Sequence, residues 1–126
     1  METLAIKDRE FTLELAVTQR DWVQGLSGRD TLSKDNGLLF VYGNSGVRKF
    51  WMKGMYFPID IICLDQYGNV VNVLRDLQPS RSPYPETYST KVPIKYAMEV
   101  NAGEADSIEV GDRVNTPGKQ EVPYRY

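Results

Sequence analysis

The sequence contains no histidine and a single cysteine, and these two absences exclude several kinds of functional site. Without histidine the chain cannot form a Ser-His-Asp triad, a Cys-His dyad or the common zinc sites. A lone cysteine excludes an internal disulfide. Cys63 stands between two aliphatic residues with no flanking cation to activate it, which is typical of an inert, buried thiol.

The sequence also lacks a long apolar run and an excess of basic residues. No segment approaches the ~18 apolar residues of a membrane-spanning helix, so we expect no membrane insertion. The net charge of -2 and the pI of about 5.2 argue against a nucleic-acid partner. Residues 1–20 are charged and amphipathic, unlike a signal peptide. The location therefore stays open between the cytoplasm and, for the mature part of an exported protein with an added Met1, the periplasm or extracellular space.

Alternating apolar residues are the main structural signal in the chain. Residues 11–17 and 94–100 each alternate with a period of two, which predicts half-buried strands. Thr18 is placed to cap a short helix with Asp21 at its third position. We therefore predict a mainly β fold, a compact barrel or sandwich of short, mostly antiparallel strands with one or two short helices.

Turn signals divide the chain further. Gly43–Gly46 predicts a hairpin in which residues 49–53 pair back on residues 38–42, and Asp65–Gly68 predicts a second hairpin. A second helical turn is expected after Asn101.

The length of 126 residues fits one domain, which we assign to residues 1–114. Residues 115–126, with two prolines, are predicted to form an extended tail. Residues 76–92 carry several prolines and predict a long irregular loop, a type of segment that is often functional.

Seven short motifs follow one another along the chain: Gly25-Leu-Ser-Gly-Arg29, Gly37-Leu-Leu-Phe40, Phe50-Trp-Met-Lys53, Pro58-Ile-Asp60, Tyr88-Ser89, Tyr96-Ala-Met-Glu99 and Gly111-Asp112. In this order they resemble the domain-of-unknown-function family 192 (DUF192) of bacterial and archaeal proteins. The resemblance spans about residues 4 to 114 and implies a compact β-rich fold with short helices, but no established reaction. Many members begin with an export signal, which favours the exported alternative here. The family usually has Asn-Thr where Gly54 and Met55 stand.

A candidate binding site begins with Trp51 and Lys53, which share one face of a predicted strand. An aromatic ring beside a cation suits a sugar, a carboxylate or a partner chain, although Trp51 could equally belong to the core. Asp60 follows closely and would be a lone carboxylate in an apolar strand unless it is paired. We expect Lys53 or Arg29 as its partner, in either a structural ion pair or a ligand site.

Further candidates lie on the proline-rich loop and on a later strand. Tyr84, Tyr88 and Ser89 could form a lid or could pin the loop to the barrel. Glu99 is predicted on the outer side of its strand, where the simplest interpretation is a solvated carboxylate. The sharper hypothesis is that Glu99 converges with Asp60 and Glu14 for acid/base work or for oxygen ligation of Ca²⁺ or Mg²⁺.

The sequence therefore favours a non-catalytic binding or accessory module for a small polar ligand, a glycan or a peptide. The alternative is a hydrolase-type enzyme without histidine, using Asp60 with Glu99 or Lys53 with Ser89. A structural domain that works only within a larger assembly is a third possibility. No cofactor and no metal are assigned, and the partner is an unidentified small ligand, glycan or protein. The predicted ligand-binding residues are Arg29, Trp51, Lys53, Asp60, Tyr84, Tyr88, Ser89 and Glu99.

Overall fold

Strands dominate the computed structural model of this chain, which describes residues 1–115. The mainly β fold predicted from the sequence is confirmed. The predicted tail lies outside the described residues except for Asn115, which belongs to the last strand. The elements are β1 (Glu2–Ile6), β2 (Arg9–Ala16), α1 (Gln19–Gln24), β3 (Asn36–Gly46), β4 (Lys49–Trp51), β5 (Ile59–Leu64), β6 (Val70–Leu77), β7 (Thr87–Ser89), β8 (Ile94–Asn101) and β9 (Val114–Asn115).

Seven strands form one sheet in the order β6-β5-β8-β3-β2-β1-β9, curled into a half-barrel. Its pairings are antiparallel except that of β2 with β3, which is parallel. A parallel pair needs a crossover between its strands, and α1 lies in that crossover. Among residues 1–115 no helix is long and apolar enough to cross a membrane.

Both faces of the sheet are buried at its centre, and β8 shows this residue by residue. Tyr96, Met98 and Val100 belong to the core cluster on one face, together with Phe11 and Leu13 of β2. The intervening side chains point to a second cluster on the other face. That cluster includes Ala97, Leu38, Phe40, Phe50, Met52 and Ile61. This second side is covered by α1 and by the small sheet of β4 and β7 rather than by solvent. We call it the outer face.

The predicted cap of α1 is present. The Thr18 hydroxyl accepts from the Asp21 backbone N–H at 3.2 Å, and the Asp21 carboxylate accepts from the Thr18 backbone N–H at 3.4 Å. This reciprocal pair satisfies two of the donors that a helix start leaves open. Trp22 then fixes the helix against the sheet, because its Nε1 donates to the Ala16 carbonyl at 2.8 Å.

One predicted hairpin is confirmed and the other is wrong. Asp65 accepts from the Tyr67 and Asn69 backbone N–H groups at 2.9 Å, which closes the turn between β5 and β6. By contrast, β3 continues through Gly46 and pairs with β8 on both sides of a register shift between Val41 and Gly46. β4 pairs instead with β7, a strand within the proline-rich segment. The expected helix after Asn101 is a series of turns with backbone bonds three residues apart.

Gly37 marks the closest approach of β3 to β8 and provides a test of this packing. A Cβ at Gly37 would lie 2.5 Å from the Glu99 carbonyl oxygen, whereas one at Gly43 on the same strand would meet nothing within 4 Å. We expect Gly37→Ala to lower the free energy of unfolding by about 1–3 kcal/mol, as overpacking does. Urea denaturation of Gly37→Ala and of the control Gly43→Ala measures this loss. An equal loss in Gly43→Ala would contradict the close approach.

Candidate functional site

A cavity of about 370 Å³ lies on the outer face, lined by residues of α1 and the following turn, of β3, of β4 and of β8. We call it the aromatic pocket, because five of its lining residues are aromatic. Those five are Trp22, Phe40, Tyr42, Phe50 and Trp51. Glu99 also lines it, and it is the acidic residue among the described lining residues.

The rings of the pocket are held by one another. Trp22 and Tyr42 have centroids 5.0 Å apart, and Phe40 meets Phe50 edge-on at 5.7 Å. Such tilted and edge-to-face pairs are the preferred aromatic geometries. The walls are therefore preorganised, whereas Trp51 is 45% exposed and offers its ring to the pocket and to solvent.

Glu99 enters the pocket because of the strand register. It stands opposite Leu38 of β3 and Ile61 of β5, both of which belong to the outer-face cluster. Its side chain is buried, and its Oε1 has no hydrogen-bond partner among residues 1–115. Burial raises its pKa from 4.5 to about 8, while the Leu26 backbone and the charge of Arg29 act in the opposite direction. Glu99 is thus mostly protonated at neutral pH.

The turn after α1 closes over this carboxyl group because residue 25 is a glycine. Gly25 has a φ of 51°, and a Cβ there would lie 3.2 Å from Glu99 Oε1 and 3.3 Å from the Phe40 ring. A side chain would be strained in this backbone conformation and would crowd the carboxyl group. The glycine therefore allows a buried acid and an adjacent cavity to coexist.

Three cations line the pocket beside its rings. Arg48 stacks over Tyr42 with 4.2 Å from its Cζ to the ring centroid and donates to the Asn44 carbonyl at 2.6 Å. Lys53 lies over Trp51, with its Nζ 5.2 Å from the ring centroid. Lys49 is the third. Since the acid in the pocket is mostly neutral, the local charge is positive on a chain whose net charge is -2.

Trp51, Lys53 and Glu99 are the predicted site residues that the structure brings together in the aromatic pocket. Arg29 lies beside it, in a neighbouring hollow, where its Nη1 pairs with Glu14 at 2.5 Å. The predicted solvated position of Glu99 is wrong, because both faces of β8 are covered.

The three predicted loop residues do not line the pocket. Tyr84 is 88% exposed, which gives no support to a lid at this position. Tyr88 packs against the outer-face cluster, as expected for a residue that pins the loop. Ser89 stands opposite Lys49, and its Oγ accepts from the Lys91 backbone N–H at 3.0 Å, whereas Lys53 lies beyond the end of β4, bridges to Ser80 and directs its Nζ over the Trp51 ring. The hypothesis of a Lys53–Ser89 pair is therefore wrong.

Asp60 is buried on the opposite face of the sheet from the pocket. It stands opposite Val100, whereas Glu99 stands opposite Ile61, so the two carboxylates point to different sides. The expected pairing of Asp60 with Lys53 or Arg29 is wrong, and so is its convergence with Glu99. Among residues 1–115 no group of three or more acidic or cysteine side chains is placed to hold a metal ion.

The partners of Asp60 are backbone N–H groups. Its Oδ1 accepts from Asp76 at 2.8 Å, and its Oδ2 accepts from Gly103 at 3.0 Å and Ala105 at 3.1 Å. Asp76 has a positive φ of 53° at the end of β6, where the pairing with β5 is irregular. Asp60 thus accepts the Asp76 N–H that this irregularity leaves without a sheet partner. Through Gly103 and Ala105 it also anchors the turns after β8.

The sequence reasoning missed Trp22, Phe40, Tyr42 and Arg48 as pocket residues. A signal for two of them was present, since Phe40 and Tyr42 are two residues apart on a strand and must share a face. What the sequence does not show is that α1 and β4 flank that face. The pocket depends on this tertiary arrangement rather than on any local motif.

The fold and the pocket define a small β half-barrel domain with a cavity on its outer face. The family model for DUF192, described as "Uncharacterized ACR", matches residues 2–116, and the chain belongs to this family. The resemblance found in the sequence motifs is therefore confirmed.

Two crystal structures share this fold over most of their length. One is a protein from Sinorhizobium meliloti 1021, provisionally described as a transcription regulator. It is 28% identical, with a TM-score of 0.83 over 94% of this chain and 95% of that one. The other is a protein of unknown function from Novosphingobium aromaticivorans DSM 12444. It is 25% identical, with a TM-score of 0.82 over 90% of this chain and 83% of that one. Comparison with curated proteins gives no match.

Proposed function

We propose that this chain is a non-catalytic binding module that holds a small ligand, or one unit of a glycan or peptide, in the aromatic pocket. The observation that carries the proposal is Glu99, an acid buried at the edge of a cavity with one carboxyl oxygen unpartnered. A buried polar group without a partner costs about 1–3 kcal/mol. A ligand that reaches the carboxyl group would offset this cost, whereas a purely structural site would be served as well by glutamine or leucine.

The walls of the pocket support the same function. Ligand sites are typically concave and largely apolar, with a few placed polar groups that fix orientation. The aromatic pocket has this composition, and its rings are already packed in place. Trp51 supplies an exposed ring on which a sugar or another flat group can stack.

Catalysis is the second candidate, favoured by one observation only. The raised pKa of Glu99 suits a general acid near neutral pH. A hydrolase also needs a second group, and neither Asp60 nor Ser89 is placed to provide it. Among the described lining residues no second carboxylate faces Glu99. The binding module is therefore the function that the pocket supports better.

Nucleic-acid binding is not proposed, although the S. meliloti protein is provisionally described as a transcription regulator. A nucleic-acid-binding domain normally carries a basic face. This chain has a net charge of -2, and three of its cations lie around a cavity rather than along an extended surface.

Trp51→Ala tests the pocket as a ligand site. After a fragment screen by NMR, we expect fragments that shift the pocket resonances to bind about tenfold more weakly to this variant, because it loses the stacking surface. Tyr84→Ala is the matched control, since Tyr84 is exposed and lies outside the pocket. The proposal fails if fragments perturb only other parts of the surface, or if both variants lose affinity equally.

A further inference from the structure

We infer that the ligand of the aromatic pocket is a small organic acid, with a ring that lies among the aromatic side chains and a carboxylate held by the cations around it. This inference rests on the proposed function and adds the chemical class of the ligand. It is carried by the position of three cations around a cavity that contains a single acid.

Two of the three cations, Arg48 and Lys53, are held in place before any ligand binds. The Arg48 guanidinium is fixed by stacking on Tyr42 and by hydrogen bonds to both the carbonyl and the side-chain oxygen of Asn44. Its Nε is buried and has no hydrogen-bond partner within the described part of the chain. Lys53 lies over the Trp51 ring. Groups that are already ordered lose little freedom on binding, so their charge contributes more to affinity.

The cavity itself limits the size of the ligand. A volume of about 370 Å³ lies near the small end of the range for ligand pockets, which is roughly 300–1,000 Å³. It suits one ring with its acid group rather than a long chain. The ring faces of Trp51 and of its neighbours provide stacking surfaces for either an aromatic ring or a sugar ring.

Glu99 is compatible with an anionic ligand only in its protonated form. As a neutral acid it does not repel a carboxylate, whereas its ionised form does, so binding should weaken as the pH rises past about 8. Tyr42 and Cys63 stay neutral around pH 8 because burial raises the pKa of both groups. Burial lowers the pKa of Lys95. Among residues 1–115, the charged or titratable groups on this side of the sheet include Glu14, Asp21, Arg29, Tyr42, Arg48, Lys49, Lys53, Cys63, Tyr88 and Lys95.

Matched pairs of an acid and its neutral counterpart test the inference. We suggest phenylacetate against phenylacetamide, and glucuronate against glucose, titrated by NMR and calorimetry. At about pH 6 the acid of at least one pair should bind about tenfold more tightly than its neutral partner, and added salt should reduce the difference. The pair that shows the effect identifies an aromatic acid or an acidic sugar as the ligand class.

Three variants separate the contributions. Lys53→Gln should weaken binding of the acid several-fold and leave the affinity for its neutral counterpart unchanged. Lys34 is exposed and lies outside the pocket, so Lys34→Gln should change neither affinity. Glu99→Gln should bind the acid with less pH dependence between about pH 6 and pH 9 than the unmodified protein does. An equal pH dependence in this variant would overturn the role given to Glu99.

The outcomes distinguish this inference from the function on which it rests. If neutral or cationic compounds occupy the pocket as tightly as the acids, the organic-acid inference is overturned and the binding module stands. If no member of either pair shifts any pocket resonance at millimolar concentrations, the inference is overturned. If the fragment screen also leaves the pocket untouched, the proposed function fails with it.

Discussion

Replacing Asp60 with asparagine is expected to lower the free energy of unfolding by about 1–3 kcal/mol. The carboxylate is buried and accepts three backbone N–H groups through its two oxygens. Asparagine keeps the shape but turns an NH₂ group toward at least one of these donors, which leaves it buried and unsatisfied. Domains of this size are stable by only about 5–15 kcal/mol, so the loss would be a large part of the total.

Urea denaturation followed by tryptophan fluorescence measures this loss. Asp8→Asn is the matched control, since it makes the same change of charge at an exposed position and should cost under about 0.5 kcal/mol. Amide exchange should also quicken at Asp76, Gly103 and Ala105, the three donors of Asp60. A loss as small as that of Asp8→Asn would show that these hydrogen bonds contribute little.

The features that could be predicted from the sequence are those that neighbouring residues determine. The cap of α1 needs only Thr18 and Asp21, and the turn between β5 and β6 needs only Asp65 and the residues after it. The alternation in β2 and β8 identifies strands because side chains alternate between faces. Alternation also pairs Trp51 with Lys53, and their side chains do meet, although β4 ends at Trp51 and Lys53 lies beyond it.

The features that could not be predicted depend on residues far apart in the sequence. β4 pairs with β7, although the nearer partner on the chain was β3. The partners of Asp60 are backbone groups 16 to 45 residues away, which no side-chain pattern reveals. The alternation in β8 gave no sign that both of its faces are covered, so Glu99 was expected in solvent.

Glu99→Gln is expected to make the protein more stable than the unmodified chain at alkaline pH. The folded state raises the pKa of Glu99 from 4.5 to about 8, so between these values the folded protein keeps a proton that the unfolded chain releases. The stability contributed by this proton is fully present below pH 4.5 and is lost as the pH rises toward 8. Glutamine has a similar shape but no such proton. The stability of the Glu99→Gln protein should therefore not fall with pH in this way.

Urea denaturation at about pH 5 and at about pH 8.5 tests this expectation. The free energy of unfolding of Glu99→Gln, relative to that of the unmodified protein, should rise by about 3–4 kcal/mol from the lower pH to the higher. Glu14→Gln is the control, because it makes the same substitution in an exposed pair with Arg29 and should give a small, nearly constant difference. A flat difference for Glu99→Gln would mean that Glu99 is ionised in the folded protein at neutral pH. The pocket would then hold a negative charge, and an organic acid would be the wrong ligand for it.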